Sequence, residues 1–328
     1  MKKKNFNITI NGYLPSLLTG LSLEGYDTNR FIKNPYLKKM DLFDPNKYIP
    51  NVLLEELLVT IKNDLGIDSL STDLSECFKS TNMGFVSNHI FRSPSFLTFL
   101  EEVVKHQKLI KSNYTVKLET TGAISKFSVK VNEALSPGKL ICEEIDIMRI
   151  LDAFMLVGGE NYCPIELGVT ANSSYYLESV LPKGDYNLKL NQSESWILFN
   201  TSLLSQEIPS IFEVPESTIL PNSDQITSFE IEQLLNCCNQ GTIPHLDELS
   251  QMLNVSRRTI ERKLQSEGTT FSHLKENLLQ RKSFELLSES NLSIKEISEQ
   301  LDYSQSQNFI RSFRKWTGTS PDEYRLQL

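Results

Sequence analysis

Nowhere in this sequence do some eighteen apolar residues run together. A helix needs about that length to cross a bilayer, so a membrane-spanning helix is excluded. Histidine is scarce as well. The four residues His89, His106, His245 and His273 form no i,i+4 pair, and none stands at zinc spacing from a cysteine. No metal site and no Ser/His/Asp grouping can be argued from them. The five cysteines (Cys77, Cys142, Cys163, Cys237, Cys238) are odd in number and scattered. Such a set is no disulfide framework and points to a reducing, cytoplasmic setting. A phosphate-cradling glycine motif is missing too, since "GGEN" at 158–161 lacks both G-x-G-x-x-G and Walker spacing. The carboxylates Glu143, Glu144 and Asp146 do cluster, but on a helix they read as a solvated face. The expectation is a protein without cofactor or metal, and not an enzyme.

The start, "MKKKNFNITINGYLPSLLTGLSL", places lysines before an apolar stretch as a signal peptide does. Asn7, Asn11, Gly12 and Pro15 interrupt it, however, and no small-residue cleavage site follows. With 328 residues and 39% hydrophobic content, the chain can bury the cores of two domains. The stretch "EVPESTILPNSDQI" (213–226) carries two prolines, two serines and an asparagine between patterned regions. It sets an N-terminal domain over 1–212, a linker over 213–224 and a C-terminal domain over 225–328. Charge divides nearby: 242–328 holds 12 Lys+Arg and 12 Asp+Glu, so the whole net charge of −8 lies before residue 242.

The first domain mixes helices and strands. "PNVLLEELLVTIKNDLG" (50–66) repeats leucine and isoleucine at helical spacing and stops at Gly66. "SPSFLTFLEEVVKHQKLI" (93–110) is a helix with Ser93 as N-cap and Pro94 at its first position. "YTVKL" and "KFSVKV" alternate around Gly122 as a hairpin does, and "EEIDIMRILDAFMLVGG" (143–159) is a largely apolar helix. "PIELGV" and "SWILF" are further strands. Phe96, Phe99, Phe127, Phe154 and Tyr162 supply core or pocket lining.

The second domain is all helical, with capping boxes at "SIKE" (293–296) and "SPDE" (320–323). "NVSRRTIERKL" (254–264) packs Arg257, Arg258, Arg262 and Lys263 into one short segment. With Ser256 as N-cap, Ile260 and Leu264 share the inner face, against Leu246, Leu249 and Leu253 of the preceding helix. Arg258, Glu261, Arg262 and Gln265 then share an outer face. Two short helices and a tight turn form a helix-turn-helix, whose second helix can enter the DNA major groove. There guanidinium groups grip guanine edges or neutralise phosphates. A plain charged surface helix is the alternative for this stretch taken alone. The pattern returns further on. "SIKEISEQL" precedes "QSQNFIRSFRKW" (305–316), where Phe309, Phe313 and Trp316 face inward and Gln307, Arg311 and Arg314 outward. Ser306, Gln307 and Asn308 crowd the first turn of that helix. Between the units, 271 to about 289 makes one helix roughly 28 Å long at about 1.5 Å per residue. That spacer suits two readers of one duplex about a turn apart. Adjacent Cys237 and Cys238 fall on a helix, one toward the core and one toward water, with a redox role as an open option.

At "LSQMLNVSRRTIERKLQSEGTTF" and "ISEQLDYSQSQNFIRSFRKWTGTSPDEYR" the chain resembles the AraC/XylS family of transcription regulators, over about 225–328. The resemblance implies an α+β N-terminal sensor domain followed by an all-α domain with two helix-turn-helix units joined by a linker helix. It implies a DNA-binding activator whose partners are double-stranded promoter DNA, RNA polymerase and a small-molecule effector not identified by the sequence, with a homodimer possible. Arg257, Arg258, Glu261 and Arg262 of the first reader, with Ser306, Gln307, Asn308, Arg311 and Arg314 of the second, are the expected DNA-facing residues. Trp316, Pro321 and Tyr324 are expected to be scaffold. Residues 13–208 show a weaker similarity to the arabinose-binding-type domain that precedes this module in some regulators. Five positions depart from the family pattern. Asn254 and Asp302 stand where glycine is usual in each turn, Leu279 where arginine is usual, Ser283 where alanine is usual and Glu261 where glutamine is frequent. A second reading is an interaction protein whose helix-turn-helix units no longer bind DNA.

Overall fold

A computed structural model describes residues 7–82, 84–132, 136–173, 177, 184, 186–209, 226–238 and 243–327. These fall into two compact units: 7–37 with 42–223, and 38–41 with 224–328. The stretch read as a linker, 213–224, lies outside the described residues.

The first unit is α+β. A two-stranded ribbon pairs β1 (Ile8–Ile10) with β2 (Tyr48–Pro50), and between them runs α1 (Leu14–Leu23). Then follow α2 (Asn51–Leu65), the short α3 (Leu70–Asp73) and α4 (Phe85–Ile90), and α5 (Phe96–Ile110). The hairpin β3 (Tyr114–Thr121) and β4 (Ile124–Val131) turns at Gly122, whose φ of +60° favours a residue without Cβ. The long α6 (Pro137–Gly158) leads to β5 (Glu166–Gly168), β6 (Asn187–Lys189) and β7 (Ser195–Asn200). The five-stranded sheet has the order β3-β4-β7-β5-β6 and is antiparallel except for the parallel pair β5–β6.

Period-two alternation decides what this sheet buries. Phe127, Val129, Ile197 and Phe199 are buried, while their neighbours Lys126, Trp196 and Leu198 are only half-buried on the other face. The buried face packs on an aromatic cluster from α5 and α6. Phe96 and Phe154 meet edge to face with centroids 4.8 Å apart, and Phe154 meets Phe199 at 4.9 Å. Of the aromatic residues read as core or pocket lining, Phe96, Phe99, Phe127 and Phe154 serve as core, Tyr162 is half-buried beside Phe154, and Phe99, Phe127 and Phe154 also line a cavity.

Three expectations need correction in this unit. The N-cap of α5 is Ser95, not Ser93: Ser95 is extended, and its hydroxyl accepts the Thr98 N–H at 3.3 Å. Helix α6 starts at Pro137 rather than near Glu143, because Ser136 caps it and proline takes its first position. Its carboxylates are not a solvated face. Glu143 is buried and accepts from Ser195 Oγ at 2.6 Å and from Thr170 Oγ1, and burial, ahead of those hydrogen bonds, pushes its carboxyl up. Asp146 accepts Lys111 Nζ at 2.8 Å and the Tyr114 hydroxyl. Glu144 is pushed up to about 7 by burial, against the pull of Lys62.

Tertiary packing also gathers His89 and His106 on one oxygen of Glu102, each at 3.1 Å, while Lys105 holds the other oxygen at 2.9 Å. Burial holds the His106 imidazole below its ordinary value.

Among the described residues the second unit is helical: α7 (Ile226–Asn236), α8 (Leu246–Met252), α9 (Arg257–Ser266), α10 (Phe271–Glu289), α11 (Ile294–Gln300), α12 (Ser306–Thr317) and α13 (Pro321–Arg325). One motif is built twice, α8-turn-α9 and α11-turn-α12. In the first turn the N–H groups of Asn254 and Val255 donate to the carbonyls of Gln251 and Ser250. In the second, Asp302 and Tyr303 donate in the same way to Glu299 and Ser298. Asn254 and Asp302 have φ of 52° and 62°, so each takes the left-handed conformation that its turn requires. The capping boxes at Ser293/Glu296 and Ser320/Glu323 are both formed, and Glu248 accepts the His245 N–H at 2.9 Å in the matching place of the first motif. Leu287, Ile297, Leu301, Phe309 and Phe313 make the core of the second motif.

The short segment 38–41 groups with this unit. Met40 bridges to Cys238, the Asp41 N–H donates to the Cys237 carbonyl at 2.8 Å, and Lys39 pairs with Glu248 at 2.7 Å. Cys237 and Cys238 are both buried and lie beyond the end of α7, which overturns the split between core and water. None of the five cysteines is in a disulfide.

Candidate nucleic-acid interface

Helix α9 forms because Ser256 caps it, its hydroxyl accepting the Thr259 N–H at 3.2 Å. Ile260 and Leu264, one turn apart, are fully buried under α8. That anchoring rotates Arg258, Glu261, Arg262 and Gln265 outward, and all four are exposed. Arg257 is exposed as well but is tied to Asp247 at 3.1 Å.

In α12 the fully buried Phe309 and Phe313 take the places of Ile260 and Leu264. Gln307, Arg311 and Arg314 are exposed on the opposite face, whereas Ser306 and Asn308 are half-buried. Ser306 Oγ accepts from Ser298 Oγ at 3.2 Å, so its hydroxyl is engaged with α11. Trp316 is half-buried rather than buried. Its indole N–H donates to Glu276 of α10 at 2.9 Å, and Lys315 pairs with the same oxygen at 2.8 Å. One carboxylate of the linker helix thus pins the C-terminal end of α12. Those hydrogen bonds, that from Lys315 first, hold Glu276 below its ordinary range.

Two of the departures from the family pattern acquire physical reasons. Leu279 packs against the core of the second motif, so it contributes apolar contact where a cation is usual. Ser283 is fully buried, and its hydroxyl donates to the Leu279 carbonyl one turn back, which satisfies the polar group without a further partner. Glu267, not singled out by the sequence, accepts the Thr227 and Ser228 N–H groups at 2.9 and 2.8 Å and so caps α7 from outside that helix. Burial raises its carboxyl, but the backbone donors outweigh burial and hold it below its ordinary value. A carboxylate that caps a helix forty residues upstream has no local signature.

The chain is similar to known proteins over this same unit. A family model described as a helix-turn-helix domain matches residues 249–327. The ornithine utilization regulator of Pseudomonas aeruginosa is 36% identical over 85 residues, which is 26% of this chain and 25% of the relative. The HTH-type transcriptional activator CfaD of Escherichia coli is 34% identical over 76 residues, 23% of this chain and 29% of the relative. Among solved structures, the transcriptional regulator CdpR from Pseudomonas aeruginosa aligns over 92% of this chain and 98% of its own, at 18% identity and a TM-score of 0.40. The match thus spans about a quarter of the length of the curated relatives. Two helix-turn-helix motifs on a shared linker helix, with the family model and the curated relatives, define the unit as a DNA-binding domain of the helix-turn-helix class. More particularly, it is a helix-turn-helix domain of the AraC type.

Proposed function

We propose that the protein is a sequence-specific transcription regulator, in which 225–328 bind promoter DNA and 1–212 sense a small molecule, pair with a second copy, or both. The observation that carries this reading is the duplicated motif, each copy burying two apolar anchors and exposing arginine on the far side. Arg258, Glu261 and Arg262 of α9 face base edges or backbone, as do Gln307, Arg311 and Arg314 of α12. Ser306 and Asn308 stand at the first turn of α12, and Arg257 answers to phosphate only after leaving Asp247. Arginine suits guanine, and glutamine or asparagine suits adenine, through paired hydrogen bonds. Glu261 repels phosphate and accepts from cytosine N4, so its contribution is to selectivity.

Resemblance to the family favours activation through contact with RNA polymerase. Control by an effector requires that the ligand favour one arrangement of the DNA-binding units over another, since equal affinity for both shifts nothing. The competing reading, an interaction protein without DNA, is favoured by the neutral charge of 242–328 and by Leu279 in place of a cation.

Selection of sites from a random DNA pool by the full-length protein separates the two. The expected result is an asymmetric site with two segments about one helical turn apart. No enrichment, with or without candidate effectors, would refute the DNA-binding reading.

A further inference from the structure

The first unit holds a cavity of about 90 Å³ between α5, the β3–β4 hairpin and α6. Most of its wall is apolar, contributed by side chains such as Phe99, Val103, Val129 and Ala153. The polar groups on the wall are engaged elsewhere, with one exception. Thr9 Oγ1 donates to the Ile110 carbonyl at 3.0 Å, and Gln107 Oε1 accepts the Val116 N–H at 2.8 Å. Ser80 donates twice to Asp152, at 2.6 and 2.7 Å. Lys111, Tyr114 and Asp146 satisfy one another.

The exception is Arg149. It is 8% exposed, lies on the cavity wall and donates from one terminal nitrogen to the Asn82 carbonyl at 2.9 Å, yet its Nε has no partner. The Tyr13 ring lies 5.4 Å from the guanidinium. Among the described residues no carboxylate pairs with Arg149 directly: Asp146 is held by Lys111 at 2.8 Å and Asp152 by Ser80 at 2.6 Å, so both act on the guanidinium only from a distance. A buried guanidinium stays protonated and is costly without an ion pair of its own. A carboxylate would supply the missing acceptor and a direct ion pair.

We propose that this cavity is the binding site of a small monocarboxylate with an apolar body, its carboxylate on Arg149 and its hydrocarbon part against α5 and the hairpin. Size restricts the ligand. An apolar cavity of about 150 Å³ holds the six carbons of benzene, so this one, at about 90 Å³, takes an apolar body of about three carbon atoms with the carboxylate seated on the guanidinium. Binding itself stands on the geometry, whereas a regulatory consequence rests on the effector-sensing reading above.

Isobutyrate is the probe, with isobutyramide as its uncharged isostere, titrated calorimetrically into the full-length protein. Saturable binding of isobutyrate is expected, with the amide about ten-fold weaker or worse. Arg149→Met removes the charge, with the risk of unfolding the site because Asn82 and Tyr13 lose a partner. Ala153→Leu fills the cavity from one helical turn beyond Arg149 while keeping the guanidinium, and is expected to fold and to lose binding. No binding of the acid, equal binding of acid and amide, or unchanged binding to folded A153L would each overturn the proposal. DNA affinity measured with and without isobutyrate tests the other reading separately. Binding that leaves DNA affinity unchanged sustains the site and sinks its role as effector site.

Discussion

Arg311 and Asn254 illustrate how differently two exposed residues of one domain act. Arg311 is exposed, with Phe309 and Phe313 holding the helix beneath it, so its replacement leaves the fold's anchors in place and, on the proposed reading, touches recognition. Arg311→Ala is expected to cost about 1–3 kcal/mol on the selected site and to relax preference at one base pair, measured by titration against matched and mismatched duplexes. Asn254 carries a backbone burden instead, with φ of 52°. Asn254→Ala is expected to lower stability by about 1 kcal/mol in urea unfolding, because alanine resists the left-handed region more than asparagine does. In the first unit, burial keeps Glu144 neutral up to about 7, while in the unfolded chain it ionises near the usual carboxylate value. Stability from this group is full below pH 4.5 or so and declines as pH rises toward 7, where ionisation must occur in a half-buried place. Glu144→Gln is therefore expected to flatten that decline and to stabilise the protein at pH 8. About 1–2 kcal/mol is expected once partial exposure is discounted, and an unchanged pH profile would exclude the burial of this carboxyl.

At the scale of elements, most boundaries were legible because caps are local chemistry. Ser256, Ser293 and Ser320 each bond an N–H within the next three residues, and Gly66 ends α2 with φ of +66°. The same locality misled at α5, where Ser93 and Ser95 both precede the helix and only geometry distinguishes them. Caps supplied from a distance were invisible. Glu267 closes the N-terminus of α7 from beyond the C-terminal end of α9. Glu267→Ala is expected to cost about 0.5–2 kcal/mol of stability. Hydrogen exchange should then show the first turn of α7 losing protection ahead of α10, and equal protection in both proteins would argue against the cap.

For the whole molecule, the acidic excess and the basic readers occupy different parts of the chain, since 242–328 balances 12 cationic against 12 anionic residues while the net charge is −8. On the proposed reading, affinity for DNA comes from placement of cations rather than from bulk charge. DNA binding is expected to weaken with salt along a straight log–log line, and Arg314→Ala should reduce its slope by about 1 if Arg314 meets a phosphate. An unaltered slope would remove Arg314 from the backbone-contacting set.

What the sequence determined by itself is whatever depends on neighbours within a turn or two: the helical period of α2, α5 and α9, the hairpin at Gly122, the serine caps, and the outward set of Arg258, Arg262, Gln307 and Arg311. Tertiary structure alone decided which polar groups are buried and whom they meet. Lys111 comes from a different stretch of chain than Asp146, which it meets, as His89 does from His106 on Glu102. Periodicity marks a face but not its depth, so Glu143 read as solvated lies buried, and the paired Cys237 and Cys238 both lie inside. Burial and electrostatic partnership are sums over residues distant in sequence, and only the folded chain carries out that sum.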